Sequence, residues 1–228
     1  MGTVDLRRTT SLLAMAASAL MANAQAVDRS YQSSAFELAG MYPRLDQNGS
    51  SDGAVFRFAP VIQAQHTYNH DLGTHFGLFA GASVNNVGFI YEDPDGVDRF
   101  KFRTYNLGLP VGVKLGTMEG GLLFAGWSVE WPVSYREKKF SFGDRVDRST
   151  EWLSQRVENP QQAVMLGYQS KVGIHIKVKY YLTNFHNRNF SEQEAGRFNT
   201  PYAGLNANVL YVALGYGLFQ RHGKAYGI

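Results

Sequence analysis

Residues 172–182, VGIHIKVKYYL, have the clearest alternation of apolar and polar side chains in the chain. Its even positions are apolar and its odd positions mostly polar or small: Val172, Ile174, Ile176, Val178, Tyr180 and Leu182 against Gly173, His175, Lys177, Lys179 and Tyr181. Successive side chains of a β-strand point to opposite faces, so the pattern predicts a strand with one apolar and one polar face. A stretch of eleven residues also has the length of a tilted strand that crosses a bilayer.

Similar alternation recurs along the chain and predicts eight strands. Their expected ranges are about 34–42, 54–68, 74–91, 99–116, 122–142, 162–169, 172–182 and 205–219. Pro60 cannot donate to a ladder, so we expect a bulge there. The apolar alternation of the third strand changes phase near Asn85 and Asn86.

The connections between these strands alternate in length. The predicted turns after the second, fourth and sixth strands are short, whereas 143–159 and 187–204 are long loops. Short periplasmic turns and longer external loops are typical of outer-membrane barrels, and an even number of strands can close without an edge. We therefore predict an all-β, eight-stranded antiparallel up-and-down transmembrane β-barrel.

A soluble lipocalin-like barrel would also alternate, with its apolar face turned inward. Three features favour the membrane. The apolar faces of the fourth and fifth strands are long enough for lipid, and their opposite faces are rich in Gly, Ser, Thr and Asn. Aromatic residues also lie near the ends of the apolar faces, as in interface girdles. These are Trp131, Tyr135, Tyr105 and Tyr68.

The N-terminus has the three parts of a secretory signal. Arg7 and Arg8 precede an apolar run at about 12–21, and Ala24-Gln25-Ala26 supplies small residues at the cleavage positions. We expect a signal peptide over 1–26 and a barrel domain over 27–228.

Composition excludes several classes of function. A formal net charge of +3 is too small to indicate nucleic-acid binding. With no Cys in the chain, a disulfide, a thiolate nucleophile or a Cys–zinc site is impossible. We expect no cofactor, no metal and no catalytic residues. The expected partners are outer-membrane lipid and, through the loops, other envelope or secretion proteins.

Seven charged or titratable side chains fall on the predicted inner face, where an eight-stranded barrel has room for little except side chains. They are Glu37, Arg57, Lys114, Glu130, His175, Lys177 and Lys179. Unpaired charges are costly there, so we expect Glu37 and Glu130 to pair with Arg57, Lys177 or Lys179. This interior polar network either fills and rigidifies the barrel or forms a polar path or small-anion site.

Three runs resemble Bacteroidetes-type outer-membrane β-barrel families of roughly 200 residues. They are NLGLPVGVKLG at 106–116, GWSVEWPVSYREK at 126–138 and KVKYYLTNFHNRNF at 177–190. The resemblance implies the barrel class rather than an activity. A looser relative, the PorT-like family, implies a role in protein secretion. The chain departs from many such barrels because residues 220–228 follow the last aromatic residue of the final strand, Phe219.

The favoured function is therefore structural or binding, without catalysis, with the external loops docking a partner and Trp152 as anchor. A lipid-modifying enzyme remains open, although no His is followed two residues later by Ser, the spacing of a lipid A deacylase. A triad assembled from separate strands would not need that spacing. His70 and His75 flank a turn, but two His residues do not make a metal site.

Overall fold

The computed structural model describes residues 30–221, apart from 48, 62, 119, 195 and 196. The predicted signal peptide over 1–26 lies outside the described residues. The strands are β1 Ser30–Gln47, β2 Ala54–Val55, β3 Arg57–Ala59, β4 Ala64–Asp71, β5 Phe76–Glu92, β6 Asp98–Gly116, β7 Leu122–Ser141, β8 Asp144–Trp152, β9 Gln161–Gln169, β10 Ile174–Tyr181, β11 Glu192–Glu194, β12 Arg197–Asn199 and β13 Leu205–Arg221.

Eight of these strands form a closed ring. In order around the ring they are β1, β4, β5, β6, β7, β9, β10 and β13, and each pairs antiparallel with the next. The ring closes where β13 pairs with β1, from Tyr31 opposite Arg221 to Gln47 opposite Leu205. The predicted eight-stranded antiparallel up-and-down barrel is confirmed.

The second predicted strand, 54–68, is interrupted rather than bulged at Pro60. β2 pairs with β5 and β3 pairs with β1, while the strand resumes only at β4. Opposite the interruption, the side chain of Gln63 replaces a backbone partner. Its Nε2 donates to the Asn86 carbonyl at 2.9 Å, and the Asn86 N–H donates to its Oε1 at 3.2 Å.

The predicted loop over 143–159 is partly wrong, because it contains β8. β7 stops pairing with β9 at Glu130 yet continues to Ser141. Its exposed edge would leave backbone groups without partners, and β8 supplies those partners. The described part of the second long loop, 187–204, contains the small β11–β12 hairpin. We call the end of the barrel that carries the two long loops the external end. β8 and the ends of β6 and β7 beside it, residues 98–105 and 134–141, form what we call the external arm.

A bulge in β7 reverses the faces of its external half. Asn106 lies opposite Pro132, and the preceding Tyr105 lies opposite Ser134, so Val133 is an extra residue. The prediction that Tyr135 belongs to the outer girdle is therefore wrong, since Tyr135 is completely buried inside.

The predicted phase change in β5 is a change in which face carries the apolar residues and not a change in side-chain direction. The register with β6 is constant from Phe76 to Glu92, so the inward side stays the same. What changes is the interior itself. Between Phe76 and Asn85 the interior is mainly polar, although Phe79 also faces inward. Beyond Asn85, Val87 and Phe89 face an apolar core. The alternation therefore changed in hydrophobicity rather than in direction.

The outer surface carries a continuous apolar belt. On β10, Ile174 and Ile176 are 48% and 54% exposed, whereas Lys177 is 2% exposed. On β6 the exposed apolar positions extend from Leu107 to Leu115, a span of nine residues that is long enough to cross lipid. A closed barrel with apolar side chains outside and charges inside needs a bilayer around it, which excludes the soluble lipocalin-like alternative.

Among the described residues, no helix has the length and apolar character that a membrane-crossing helix needs.

Candidate functional site

The structure places six of the seven predicted interior side chains in buried positions. They are Glu37, Lys114, Glu130, His175, Lys177 and Lys179. Arg57, the seventh, is half-buried. The buried side chains do not form one cluster but lie in successive layers along the barrel.

Glu37 is the centre of one layer. Its Oε1 lies 2.6 Å from Lys177 Nζ and 3.1 Å from His175 Nε2, and its Oε2 accepts a hydrogen bond from the Tyr211 hydroxyl at 2.7 Å. Lys177 also donates to Gln65 Oε1 at 3.2 Å. The carboxylate and the ammonium thus neutralise each other, and neighbouring side chains satisfy their remaining hydrogen bonds.

Glu130 is the centre of a second layer. Its Oε1 lies 2.7 Å from Lys179 Nζ, and its Oε2 accepts from the Tyr181 hydroxyl at 2.7 Å and from Asn106 Nδ2 at 3.1 Å. Ser128 also donates to Oε1. A completely buried carboxylate needs this many donors, because each missing one leaves a desolvated lone pair.

Two cations have partners that the sequence did not predict. Lys114 pairs with Asp71, with Nζ and Oδ1 separated by 2.6 Å. Arg57 donates to Asn86 Oδ1 at 2.6 Å and to Met41 Sδ at 3.2 Å. Within the described residues Arg57 forms no ion pair, since it lies opposite Met41, four residues along β1 from Glu37.

The layers around Glu37 leave only a small cavity. Its volume is about 60 Å³, and Lys114, His175 and Lys177 are among its lining residues. That volume holds a few water molecules. Both lysines that line it are already paired with carboxylates. The geometry therefore gives little support to the small-anion alternative.

Above the polar layers, an aromatic plug closes the external end. His186 stacks on Tyr202, with ring centroids 4.2 Å apart, and packs edge-on against Phe102 at 4.5 Å. Glu137 accepts hydrogen bonds from the hydroxyls of Tyr135 at 2.7 Å and Tyr202 at 2.9 Å. Burial, followed by the charge of Arg156, lowers the pKa of His186 to about 3, so its ring is neutral.

Arg156 joins the two long external loops. Its Nε lies 2.8 Å from Glu151 Oε1 and its Nη2 lies 2.5 Å from Glu192 Oε2. Nη1 donates to the Tyr202 hydroxyl at 3.2 Å. We call Arg156 and its contacts with Glu151, Glu192 and Tyr202 the Arg156 staple. Beside it lies an external cleft of about 470 Å³. Its lining includes Tyr91, Phe100, Phe102, Glu137, Arg156 and Tyr202.

One Ser–His contact is relevant to the enzyme alternative. Ser34 Oγ lies 2.9 Å from His66 Nδ1 across β1 and β4, on the outer face. No hydrogen bond or ion pair joins His66 to a carboxylate within the described residues, so the third member of a triad is missing there. His70 and His75 instead contact Ser30 and Thr74, and the described residues contain no group of three metal ligands.

Several partners of the interior charges are not predicted from the sequence, and only some of them lie in an alternating pattern that could have revealed them. Asp71 falls in the predicted turn between 68 and 74, although it continues the inward series Gln65, Thr67 and Asn69. Tyr211 follows the alternation of β13 in the same way. His186 lies in a loop, where no periodicity applies.

Comparisons with known proteins come from structure alone, since no family model and no curated protein matches the chain. The attachment invasion locus protein Ail of Yersinia pestis is 12% identical, covers 82% of this chain and 99% of its own, and has a TM-score of 0.36. Neisserial surface protein A is 12% identical, covers 82% of this chain and 96% of its own, and has a TM-score of 0.38. The outer membrane protein OprG of Pseudomonas aeruginosa is 12% identical, covers 83% of this chain and 97% of its own, and has a TM-score of 0.35.

The closed even-numbered ring, the apolar belt and the contrast between short and long connections are the architecture of outer-membrane proteins. The protein is an outer-membrane β-barrel.

Proposed function

We propose that the barrel is a non-catalytic support that holds a binding surface at its external end. The observation that carries the proposal is the Arg156 staple. It fixes two long loops around the external cleft, above an interior filled with paired charges. Binding residues on loops that a rigid scaffold positions are a common arrangement. The filled interior supports a structural role rather than conduction.

The exposed apolar residues of the external arm support the same function. Trp152 is 76% exposed and Phe142, at the hairpin tip, is 84% exposed. Exposed aromatic side chains of this kind serve as anchors in protein interfaces. We infer that Trp152, in the same cross-strand row as Ser134 and Tyr105, contacts a partner in the cell envelope at the membrane surface.

Site-specific photocrosslinking tests the proposal. A benzoylphenylalanine at position 152 is expected to give a discrete protein adduct in intact cells. The matched control is position 172, since Val172 is also exposed (65%) but lies at the opposite end of the barrel. Equal adducts at both positions, or none at either, would contradict the binding role. Steady single-channel currents in planar bilayers would contradict the filled interior.

The Ser34–His66 contact favours one second candidate, a lipid-modifying enzyme. The pair lines an apolar groove of about 500 Å³ with Phe36, Leu109 and Trp131. Turnover of labelled lipid A that disappears in Ser34→Ala would support this candidate and overturn the non-catalytic role.

We also propose a narrower family relationship for this barrel. The runs at 106–116, 126–138 and 177–190 support a Bacteroidetes PorT-like relationship and, with it, a role in secretion. Copurification of the photocrosslinked adduct with secretion proteins is the result expected from that relationship.

A further inference from the structure

Cations line up across the outer face of the external arm. Lys101 on β6 lies directly opposite Lys138 on β7, and Lys138 lies opposite Arg148 on β8. The next row toward the barrel places Arg103 opposite Arg136. Side chains directly opposite on neighbouring strands lie about 5 Å apart at their β-carbons, and like charges in such positions destabilise a sheet. We call these five residues and Arg145 the basic patch.

The acidic residues of the arm lie on its other face. Glu137 and Asp147 line the external cleft, and Glu137 is held by two tyrosines. Within the described residues, no member of the basic patch forms an ion pair, whereas the neighbouring Arg99 pairs with Glu92. The patch therefore faces outward without a protein counter-ion.

Repulsion within the patch acts on Lys138. Burial, followed by the charges of Arg103, Arg145, Arg148 and Arg136, lowers the pKa of Lys138. An anion bound beside these side chains would relieve the repulsion and accept hydrogen bonds from their N–H groups.

The position of the patch identifies the ligand. Arg103 lies four residues beyond Leu107, the external end of the apolar belt on β6. At about 3.3 Å per residue this separation is roughly 13 Å along a tilted strand. Between them, the partly exposed Tyr105 lies under the Arg103 guanidinium, which is 5.2 Å from its ring centroid. Aromatic rings of this kind lie at the head-group level.

We propose that the basic patch binds the phosphorylated head groups of glycolipids in the outer leaflet. The patch points sideways, away from the cleft, so its ligand is a lipid that surrounds the barrel. Arginine pairs with phosphate in a two-point geometry, and each nearby cation strengthens attraction to an anionic lipid. The inference rests on the proposed external orientation of the long loops.

The test uses the full chain folded into phosphatidylcholine nanodiscs with increasing fractions of diphosphoryl lipid A. All proteins carry Trp127→Phe/Trp131→Phe, so that tryptophan fluorescence comes from Trp152, which lies on the same strand and face as Arg148. The test variant is Lys101→Gln/Lys138→Gln/Arg148→Gln. The control is Arg44→Gln/Lys171→Gln/Arg188→Gln, which removes the same charge elsewhere. Inorganic phosphate and a soluble sulfated polysaccharide are run as separate ligands.

The wild type and the control are expected to bind diphosphoryl lipid A equally. The test variant should bind about 100-fold more weakly, since each cation near the surface contributes roughly five-fold. In pure phosphatidylcholine it should be at least as heat-resistant as the wild type, because repulsion has been removed. That measurement shows that the variant folds.

Equal binding by all three proteins would overturn the inference. So would binding of the soluble polysaccharide or of inorganic phosphate as strong as that of the lipid. These results are independent of the photocrosslinking at position 152, so the inference and the proposed function can fail separately.

Discussion

Lys179 Nζ lies 2.7 Å from Glu130 Oε1, and neither side chain is more than 1% exposed. Such a pair contributes little net stability beyond its desolvation cost, but losing one partner leaves the other charge buried alone. The barrel therefore depends on both members being present together.

The first prediction follows from this pair. Glu130→Gln should destabilise the folded barrel by about 3–5 kcal/mol, because Lys179 loses its counter-ion. Urea unfolding in detergent, followed by heat-modifiable gel mobility, measures the change. Glu130→Gln/Lys179→Met should be less destabilised than the single variant. The control is Glu92→Gln, which breaks an exposed pair and should cost less than about 1 kcal/mol. Equal losses in Glu130→Gln and Glu92→Gln would contradict the pairing.

The second prediction concerns pH and His186. Burial lowers its pKa from 6.5 to about 3, and its Nδ1 has no hydrogen-bond partner. The unfolded state therefore binds a proton between these values and the folded state does not. Stability of the aromatic plug is complete above pH 6.5 and falls by about 1.4 kcal/mol per pH unit toward pH 3.

Hydrogen exchange of residues 182–204 between pH 7 and pH 4 measures this effect. Corrected for the intrinsic rate, opening should increase as the pH falls in the wild type. His186→Phe should remove that dependence, since no proton can bind there. A pH-independent plug in the wild type would show that the ring is not isolated from solvent.

The third prediction concerns the loop staple. Arg156→Met removes the contacts with Glu151, Glu192 and Tyr202. Chymotrypsin, whose aromatic sites are the same in wild type and variants, should therefore cleave the 182–204 loop faster, by about ten-fold for each 1.4 kcal/mol of lost contact. The unfolding midpoint of the barrel should stay nearly the same, because these contacts lie outside the ring. Arg188→Met is the matched control, since the structure gives Arg188 a contact with the Ala203 carbonyl. Similar cleavage of both variants would refute the staple.

The fourth prediction concerns the bulge. Deleting Val133 should restore unbroken pairing between β6 and β7 and leave Tyr135 opposite Thr104, on the inner face. The Tyr135 hydroxyl should therefore keep its hydrogen bond to Glu137. Near-ultraviolet circular dichroism should show an unchanged aromatic signal, and the barrel should remain heat-modifiable on gels. Loss of the aromatic signal would show that the extra residue is needed to hold Tyr135 in the plug.

The alternation of apolar and polar residues predicted most of the strands and the direction of their side chains. In 172–182 the direction of each side chain follows from strand geometry alone, and the structure has the same faces for Ile176 and Lys177. The alternation failed at Tyr135, where one extra residue changes the face. It also failed to show β8, because the hydrophobic pattern of a solvated arm is weak.

The period of residues 172–182 is enough to place His175, Lys177 and Lys179 on one face of a strand and the apolar residues on the other. The partners of these three side chains depend on how the strands are arranged around the ring. Glu37 meets Lys177 across 140 positions of sequence, because closing the ring brings β1 to β13 and β13 to β10. Pairing of buried charges depends on the register between strands and on the stagger of the whole ring, and neither is encoded in the period of one strand.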